Sequence, residues 1–300
     1  VRTLLAAGGH ATDRIEITTT GDLTPDVPLS RIGSRALFTK QIDDALLDHR
    51  IDLAVHSLKD LPTELPDGIM VAAVSTREDP RDALVSRGPV RWADLPPGAV
   101  IATSSLRRRA QLLHARRDLR IVDIRGNVDT RLAKLDGRHD WNAIVLAAAG
   151  LIRLGFARRI GERLPPAIML PAPGQGALAL TTRTDDAVIQ SLLREAVHDP
   201  ETAVLVAAER AFLRRLEGGC QVPVAAYARR ESEGPIIRLD GRVIALSGES
   251  MVEGTEEAVV QDEAQAADLG TELAERLLER GAAAILSDVR AAVAPVVTEP

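Results

Sequence analysis

Along the first two-thirds of the chain, apolar positions form short runs of Val, Ile, Leu and Ala, separated by segments where they recur at helical spacing. Residues 15–20 alternate apolar and polar and stop at Gly21-Asp22, which predicts a strand; further strands are predicted at 53–56, 71–74, 100–102, 120–124 and 144–147. Between them, residues 38–49, 106–117 and 128–135 predict helices. This alternation points to parallel sheets with helical crossovers. Two α/β units are expected, meeting near residues 75–82 (STREDPRD), where charge and a proline interrupt the pattern. The Pro- and Gly-rich stretch 164–176 (LPPAIMLPAPGQG) reads as a crossover between domains. Residues 201–216 predict a helix ending at Gly218-Gly219, as a left-handed C-terminal cap requires. Beyond Val224 the pattern changes to strands at 224–228, 236–239 and 243–246 and a helix over 264–280, a smaller α+β unit.

A length of 300 residues exceeds the usual size of a single core, about 250 residues, so two or three domains are expected. The apolar fraction of 45% and charged fraction of 27% exclude disordered and collagen-like classes. One cysteine, Cys220, leaves no internal disulfide and no cysteine pair for a zinc knuckle or redox motif, which suits a reducing cytoplasm. No apolar run approaches the roughly 18 residues of a spanning helix, and no secretory leader is read at the start. With aromatics at 2%, few platforms exist for stacking bases, which counts against single-stranded nucleic acid as the main ligand. No metal-ligand set is found.

The formal charge of −6 hides an uneven distribution: residues 104–131 hold eight arginines and three aspartates, whereas 247–300 hold twelve acidic residues and three arginines. Two arginine clusters follow predicted strand ends, TSSLRR at 103–108 and Arg125-Gly126-Asn127, where open α/β sheets bind ligands at helix N-termini. Ser104 or Ser105 can cap the helix that follows. For Arg107, Arg108, Arg125 and Arg131 a role in binding carboxylates or phosphates is preferred over a solvated face; for Arg109, Arg116, Arg117 and Arg120 the solvated face is preferred. A second constellation, DLAVHSLKDLP at 52–62, runs an apolar strand into Ser57, Lys59 and Asp60. On chemistry alone, a site at the sheet's carboxyl edge and an ordinary surface turn fit it equally. His56 reads as a strand residue with a satisfied hydrogen bond. Third, Cys220 follows two glycines: it is either an inert buried thiol or an accessible one suited to attachment or nucleophilic chemistry.

Taken together, these segments resemble the porphobilinogen deaminase (hydroxymethylbilane synthase) family. The stretches that carry the resemblance are TGD at 20–22, LFTK at 37–40, AVHSLKDLP at 54–62, REDPRDA at 77–83, TSSLRRRAQL at 103–112, RGNVDTRLAKLD at 125–136, AAAGLIRLG at 147–155, PAPGQGAL at 171–178 and ERAFLRRLEGGCQVP at 209–223. The resemblance implies an α/β fold of two doubly wound domains similar to periplasmic binding proteins plus a small α+β C-terminal domain. The expected boundaries are 1–75 with 177–195, then 81–170, then 199–300. Family members open with a strand and an Arg-containing stretch that have no counterpart in this sequence, so the first domain is expected without that strand.

The resemblance also implies a dipyrromethane cofactor joined by a thioether to Cys220, from which four porphobilinogen units are added head to tail to give hydroxymethylbilane. Each addition would expel ammonia and let the resulting azafulvene be attacked by the free pyrrole position of the growing chain. Asp60 is the expected catalytic group, stabilising positive charge and handling pyrrole N–H protons from a setting shielded from water. Ser57, Lys59, Thr103, Ser104, Ser105, Arg107 and Arg108 match cofactor-binding positions, and Arg125, Arg131 and Arg153 match positions that hold substrate carboxylates. Arg31, Arg35 and Phe38 match a mobile segment over the cleft; the family's usual lysine is replaced by Arg35. A soluble cytoplasmic monomer with porphobilinogen as its partner is expected. The alternatives are a non-catalytic anion-binding protein of periplasmic-binding architecture and a nucleic-acid binder using residues 104–131.

Overall fold

The computed structural model describes residues 1–19, 39–216, 222–231 and 234–293. Three sheets organise them. The first holds β1 (Ala54–Ser57), β2 (Ile69–Val74) and β8 (Leu178–Arg183) in the order β1-β8-β2. The second has the order β5-β4-β6-β3-β7, built from β3 (Asp82–Val85), β4 (Val100–Ala102), β5 (Arg120–Val122), β6 (Ala143–Ala147) and β7 (Glu162–Arg163). The third is the meander β9 (Val224–Arg230), β10 (Ile236–Ile244) and β11 (Met251–Val259).

The expectation of parallel sheets holds only in part. β4 pairs in parallel with β5 and β6, but β3 runs antiparallel to β6, and β8 runs antiparallel to both β1 and β2. The cause is the path of the chain. It leaves the first sheet after β2, enters the second as β3, and returns after β7 to re-enter the first as β8. Each strand that follows a crossing is therefore laid down against the local direction. Both crossover segments, near 75–81 and 164–177, fall where the sequence placed them.

Predicted strands at 71–74, 100–102, 120–124 and 144–147 correspond to β2, β4, β5 and β6, and the helices at 106–117 and 128–135 to Leu106–Ala115 and Val128–Gly137. The predicted helix at 38–49 is Lys40–Leu47 over the described residues. Residues 15–19 form no strand, and Ile15 is exposed. Alternation alone carries no strand when no edge pairs with it. The strands expected separately at 236–239 and 243–246 are one strand, β10, because Asp240-Gly241-Arg242 continues the ladder to both neighbours. The Gly218-Gly219 cap lies outside the described residues.

Burial explains the central strands. β3 is wholly buried and β6 nearly so; β6 reads as a continuous apolar run and β3 as one after its opening Asp82, as strands covered on both faces do. The third sheet packs helices Pro200–Arg215 and Glu263–Leu277 on one face around a core containing Phe212, Leu239 and Leu273. Those two helices touch at Gly270, where an added Cβ would stand 2.1 Å from the carbonyl oxygen of Ala208. Only glycine admits that approach.

Candidate functional site

The strand-to-turn junction at 57–60 supplies one wall of the site. β1 ends at Ser57, and a single 3-10 turn, Leu58–Asp60, follows, anchored by fully buried Leu58. Leu58 points inward, so Lys59 and Asp60 are turned towards the second sheet. Nζ of Lys59 donates to Oε1 of Gln175 at 3.3 Å. Burial pushes the Lys59 ammonium below its usual range; Asp60 opposes this, while Arg108 and Arg107 reinforce it. Asp60 and Ser57 are exposed. The shielded setting expected for Asp60 is therefore not supplied by the described residues, because the turn lies at the open carboxyl edge of β1.

The opposite wall is the N-terminal turn of Leu106–Ala115. Ser105 is its cap, its Oγ accepting from the backbone N–H of Arg108, which resolves the choice between Ser104 and Ser105. Ser104 instead closes the loop to β5: its Oγ donates to the carbonyl of Ile124 at 2.7 Å and accepts from the same residue's N–H at 3.1 Å. Thr103 is buried and its hydroxyl accepts from the N–H of Ser105. These three hydroxyls thus shape the turn.

Arg107 and Arg108 have a partner the sequence reading missed. Both are buried and converge on Asp82, the first residue of β3: Arg107 Nη1 reaches Oδ2 at 2.8 Å and Arg108 Nε reaches Oδ1 at 2.9 Å. Arg107 also donates to the carbonyl of Leu170, and Arg108 to that of Val145. Burial by itself would raise the pKa of Asp82, but Arg107, Arg108 and Lys59 outweigh it and hold the carboxyl far below its usual range. Gln175, fully buried in the return crossover, donates from Nε2 to Asp82 Oδ1 at 3.1 Å and to the carbonyl of Pro80 at 2.7 Å. Its amide therefore joins Lys59 on the first sheet to the arginine pair on the second. The sequence offers one signal for Asp82 and Gln175: a carboxylate and an amide at the two segments that read as a boundary and a crossover.

Arg125, Arg131 and Arg153 complete the cationic lining. Arg131 donates from Nε to the carbonyl of Gly126 at 2.7 Å. Burial, with Arg108 and Arg125 nearby, pushes its pKa down to about 10, and Asp60 opposes the shift. Burial also lowers Arg125, opposed by Asp123, and Arg153, opposed by Glu78. Arg153, exposed, spans to the carbonyl of Gly176 at 2.6 Å. Of the arginines assigned to solvent, Arg109, Arg117 and Arg120 are exposed, whereas Arg116 holds the carbonyls of Leu95 and Pro96 beside Asp118. Arg31, Arg35, Phe38 and Cys220 lie outside the described residues.

Cations thus converge from two sheets with fewer carboxylates to balance them, and burial and mutual repulsion lower the pKa of most. Such a site is short of negative charge, and a group bearing several carboxylates fits it. A family model described as porphobilinogen deaminase, dipyromethane cofactor binding domain, matches residues 1–191, and a second, porphobilinogen deaminase, C-terminal domain, matches 203–279. The chain belongs to the porphobilinogen deaminase family. Its relatives include porphobilinogen deaminases of Desulforudis audaxviator, 52% identical over 93% of this chain and 88% of that protein, and of Rubrobacter xylanophilus, 51% identical over 95% and 90%. That of Moorella thermoacetica is 50% identical over 92% of this chain and 86% of its own.

Porphobilinogen deaminases are transferases of tetrapyrrole biosynthesis, and the N-terminal match is to the part of the family that binds dipyrromethane. The resemblance read from the motifs is thereby borne out, and the alternative of a non-catalytic anion-binding protein is not favoured. The fold is mixed α/β with a separate small C-terminal domain. Among solved structures, a putative methionine-binding lipoprotein of Bacillus subtilis aligns with 54% of this chain and 76% of its own at 13% identity and a TM-score of 0.35. A periplasmic substrate-binding protein of Coxiella burnetii aligns with 58% and 81% at 18% identity and 0.37. Nothing about ligand or activity carries over from either. Among the described residues, no helix is long and apolar enough to cross a membrane.

Proposed function

We propose that this chain polymerises porphobilinogen, four molecules head to tail with release of ammonia at each step, to give hydroxymethylbilane. The observation that carries this reading is the juxtaposition of Lys59 and Asp60, in the turn after β1, with Arg108 and Arg131 on the helices Leu106–Ala115 and Val128–Gly137, Lys59 being joined to Arg108 through Gln175 and Asp82. Porphobilinogen and its oligomers are polycarboxylates whose reacting carbon becomes positive as ammonia leaves. A cation-lined cleft with the exposed carboxylate of Asp60 at its edge answers both needs.

Asp60 acts as the catalytic group. Its carboxylate lies where positive charge develops on the incoming pyrrole, and it accepts the pyrrole N–H. Lys59, desolvated before any ligand arrives, gives up little hydration on meeting a carboxylate. Arg125, Arg131 and Arg153 receive the acidic side chains of substrate and product. Arg107 and Arg108 present the guanidinium edges left over from Asp82, with Ser57, Thr103, Ser104 and Ser105 at the rim. Dipyrromethane, when bound through Cys220, supplies the pyrrole end to which the first unit is joined. The domain limits that fit this division are 1–75 with 177–195, 81–170 and 199–300. A cytoplasmic monomer without nucleic-acid or membrane partners agrees with the lone cysteine and scarce aromatics.

Two measurements test the reading. The intact mass of the denatured chain should exceed the calculated mass by one dipyrromethane, located on the Cys220 peptide and lost in Cys220→Ser. The purified protein should consume porphobilinogen and release ammonia in equal amounts. A chain that carries the group but leaves porphobilinogen untouched would contradict it.

A further inference from the structure

Arg242 lies on β10 in the third sheet, yet one end of its guanidinium belongs to the second. Nε and Nη2 reach Glu253 Oε2, the residue directly opposite on β11, at 3.0 and 2.8 Å, and this pair aims Nη1 outward. Nη1 then donates to Oε1 of Gln111 at 2.9 Å. Gln111 sits one helical turn after Arg107, so both project from the same face of Leu106–Ala115.

Gln111 is 1% exposed and fully used. Its Oε1 also accepts from the N–H of Leu170 at 2.9 Å, and its Nε2 donates to the carbonyl of Leu170 at 3.0 Å. That same carbonyl accepts from Nη1 of Arg107 at 2.7 Å. A continuous path therefore runs from Glu253 through Arg242, Gln111 and Leu170 to Arg107 and Asp82. Arg242 is a donor only, so together with the Leu170 N–H it holds the Gln111 amide with Oε1 towards the third sheet. The other end then holds the Leu170 carbonyl where Arg107 meets it.

A second contact joins the same two elements. The β10–β11 turn rests on the helix, with His114 Nδ1 at 2.8 Å from the carbonyl of Gly248; a carbonyl only accepts, so Nδ1 carries the proton. At Gly248 an added Cβ would lie 2.6 Å from the backbone nitrogen of His114.

We infer that Arg242 is a positioning residue for Arg107: the C-terminal domain, through the Gln111 amide, sets how far the Arg107 guanidinium extends towards a bound carboxylate. This rests on the reading of Arg107 as a carboxylate-binding residue. Its test compares Arg242→Met, which keeps the aliphatic stem, with Arg242→Lys and His114→Ala in the holoenzyme. The expected result for Arg242→Met is a KM for porphobilinogen raised five- to tenfold with kcat within twofold, and at least tenfold faster hydrogen exchange at the Leu170 amide. Arg242→Lys, which keeps a cationic donor, should recover most of both, whereas His114→Ala should change KM less than twofold. Should Arg242→Met fold poorly, Glu253→Gln loosens the same guanidinium from an exposed position and is expected to shift KM and Leu170 exchange in the same direction. An unchanged KM in a folded Arg242→Met chain overturns the inference, as does a His114→Ala chain with the same KM rise, which would mean that docking of the turn alone matters. If wild type consumes no porphobilinogen, the functional reading falls instead, and Leu170 exchange still decides whether Arg242 holds that segment.

Discussion

Arg77 in the first crossover and Glu209 in helix Pro200–Arg215 form a paired contact across three parts of the fold. Nη1 and Nη2 donate to the two carboxylate oxygens at 2.7 and 3.0 Å, and the Glu209 side chain is wholly buried. The remaining capacity of Glu209 is filled by the backbone N–H groups of Gly174, in the return crossover, and Ala228, in β9. One carboxylate therefore ties both crossovers to the third sheet. Replacing it by alanine leaves the part-buried Arg77 guanidinium without its carboxylate and two buried N–H donors unpaired. Glu209→Ala is expected to cost about 3–5 kcal/mol, measured by urea unfolding. A loss below about 1 kcal/mol would show that the junction is held by something else.

Asp82 carries the same logic into the site. Asp82→Ala strands two buried guanidiniums and should destabilise by about 3–5 kcal/mol, while also weakening porphobilinogen turnover because Arg107 and Arg108 lose their anchor. The pH dependence follows from the sign of its shift. Its folded-state pKa lies far below the unfolded value of about 3.9, so its stabilisation is fully present above that value. It declines as pH falls below about 4. Acid unfolding of wild type should be steeper in this window than that of Asp82→Ala, a comparison that thermal melts at pH 2–6 would make.

Lys59 is expected to behave in the opposite way. Its pKa is lowered, so the folded chain binds the proton less well than the unfolded chain, whose value is about 10.4. Wild-type stability should therefore rise with pH up to about 10.4, and Lys59→Met should flatten that rise. The same variant should melt no lower than wild type at pH 7 yet lose at least tenfold in kcat/KM for porphobilinogen. A lower melting temperature with normal kinetics would mean that Lys59 serves the fold.

Asp60 is exposed, so its removal should leave stability within about 0.5 kcal/mol. Asp60→Ala should nonetheless reduce porphobilinogen turnover by at least a hundredfold. Wild-type rates in a folded Asp60→Ala chain would remove the carboxylate from the chemistry.

The close passage at Gly270 gives a prediction about packing alone. Gly270→Ala must push helices Pro200–Arg215 and Glu263–Leu277 apart, since the new methyl meets backbone. A loss of about 1–3 kcal/mol in urea unfolding is expected, with the kinetic constants of the remaining folded fraction unchanged.

The family, the order of most elements and the two crossover segments are legible in the residues alone. Those signals are local: β6 is a continuous apolar run, Ser104-Ser105 offers a cap to the helix that follows, and motifs such as AVHSLKDLP are contiguous. The sense of the strands and the partners of the charges were decided by tertiary structure alone. β3 and β8 run against their neighbours because the chain crosses between sheets twice, which no local periodicity records. Asp82 and Gln175 have no role legible in the sequence because their partners, Arg107, Arg108 and Lys59, are distant along the chain. Arg242 shows the same limit: beside Glu253 it has the pattern of a surface ion pair, and only the packing of β10 against Leu106–Ala115 places Gln111 within its reach. Hydrophobic patterning reports which face of an element is buried, whereas the pairing of buried charges depends on which elements meet, and that is settled only when the whole chain has packed.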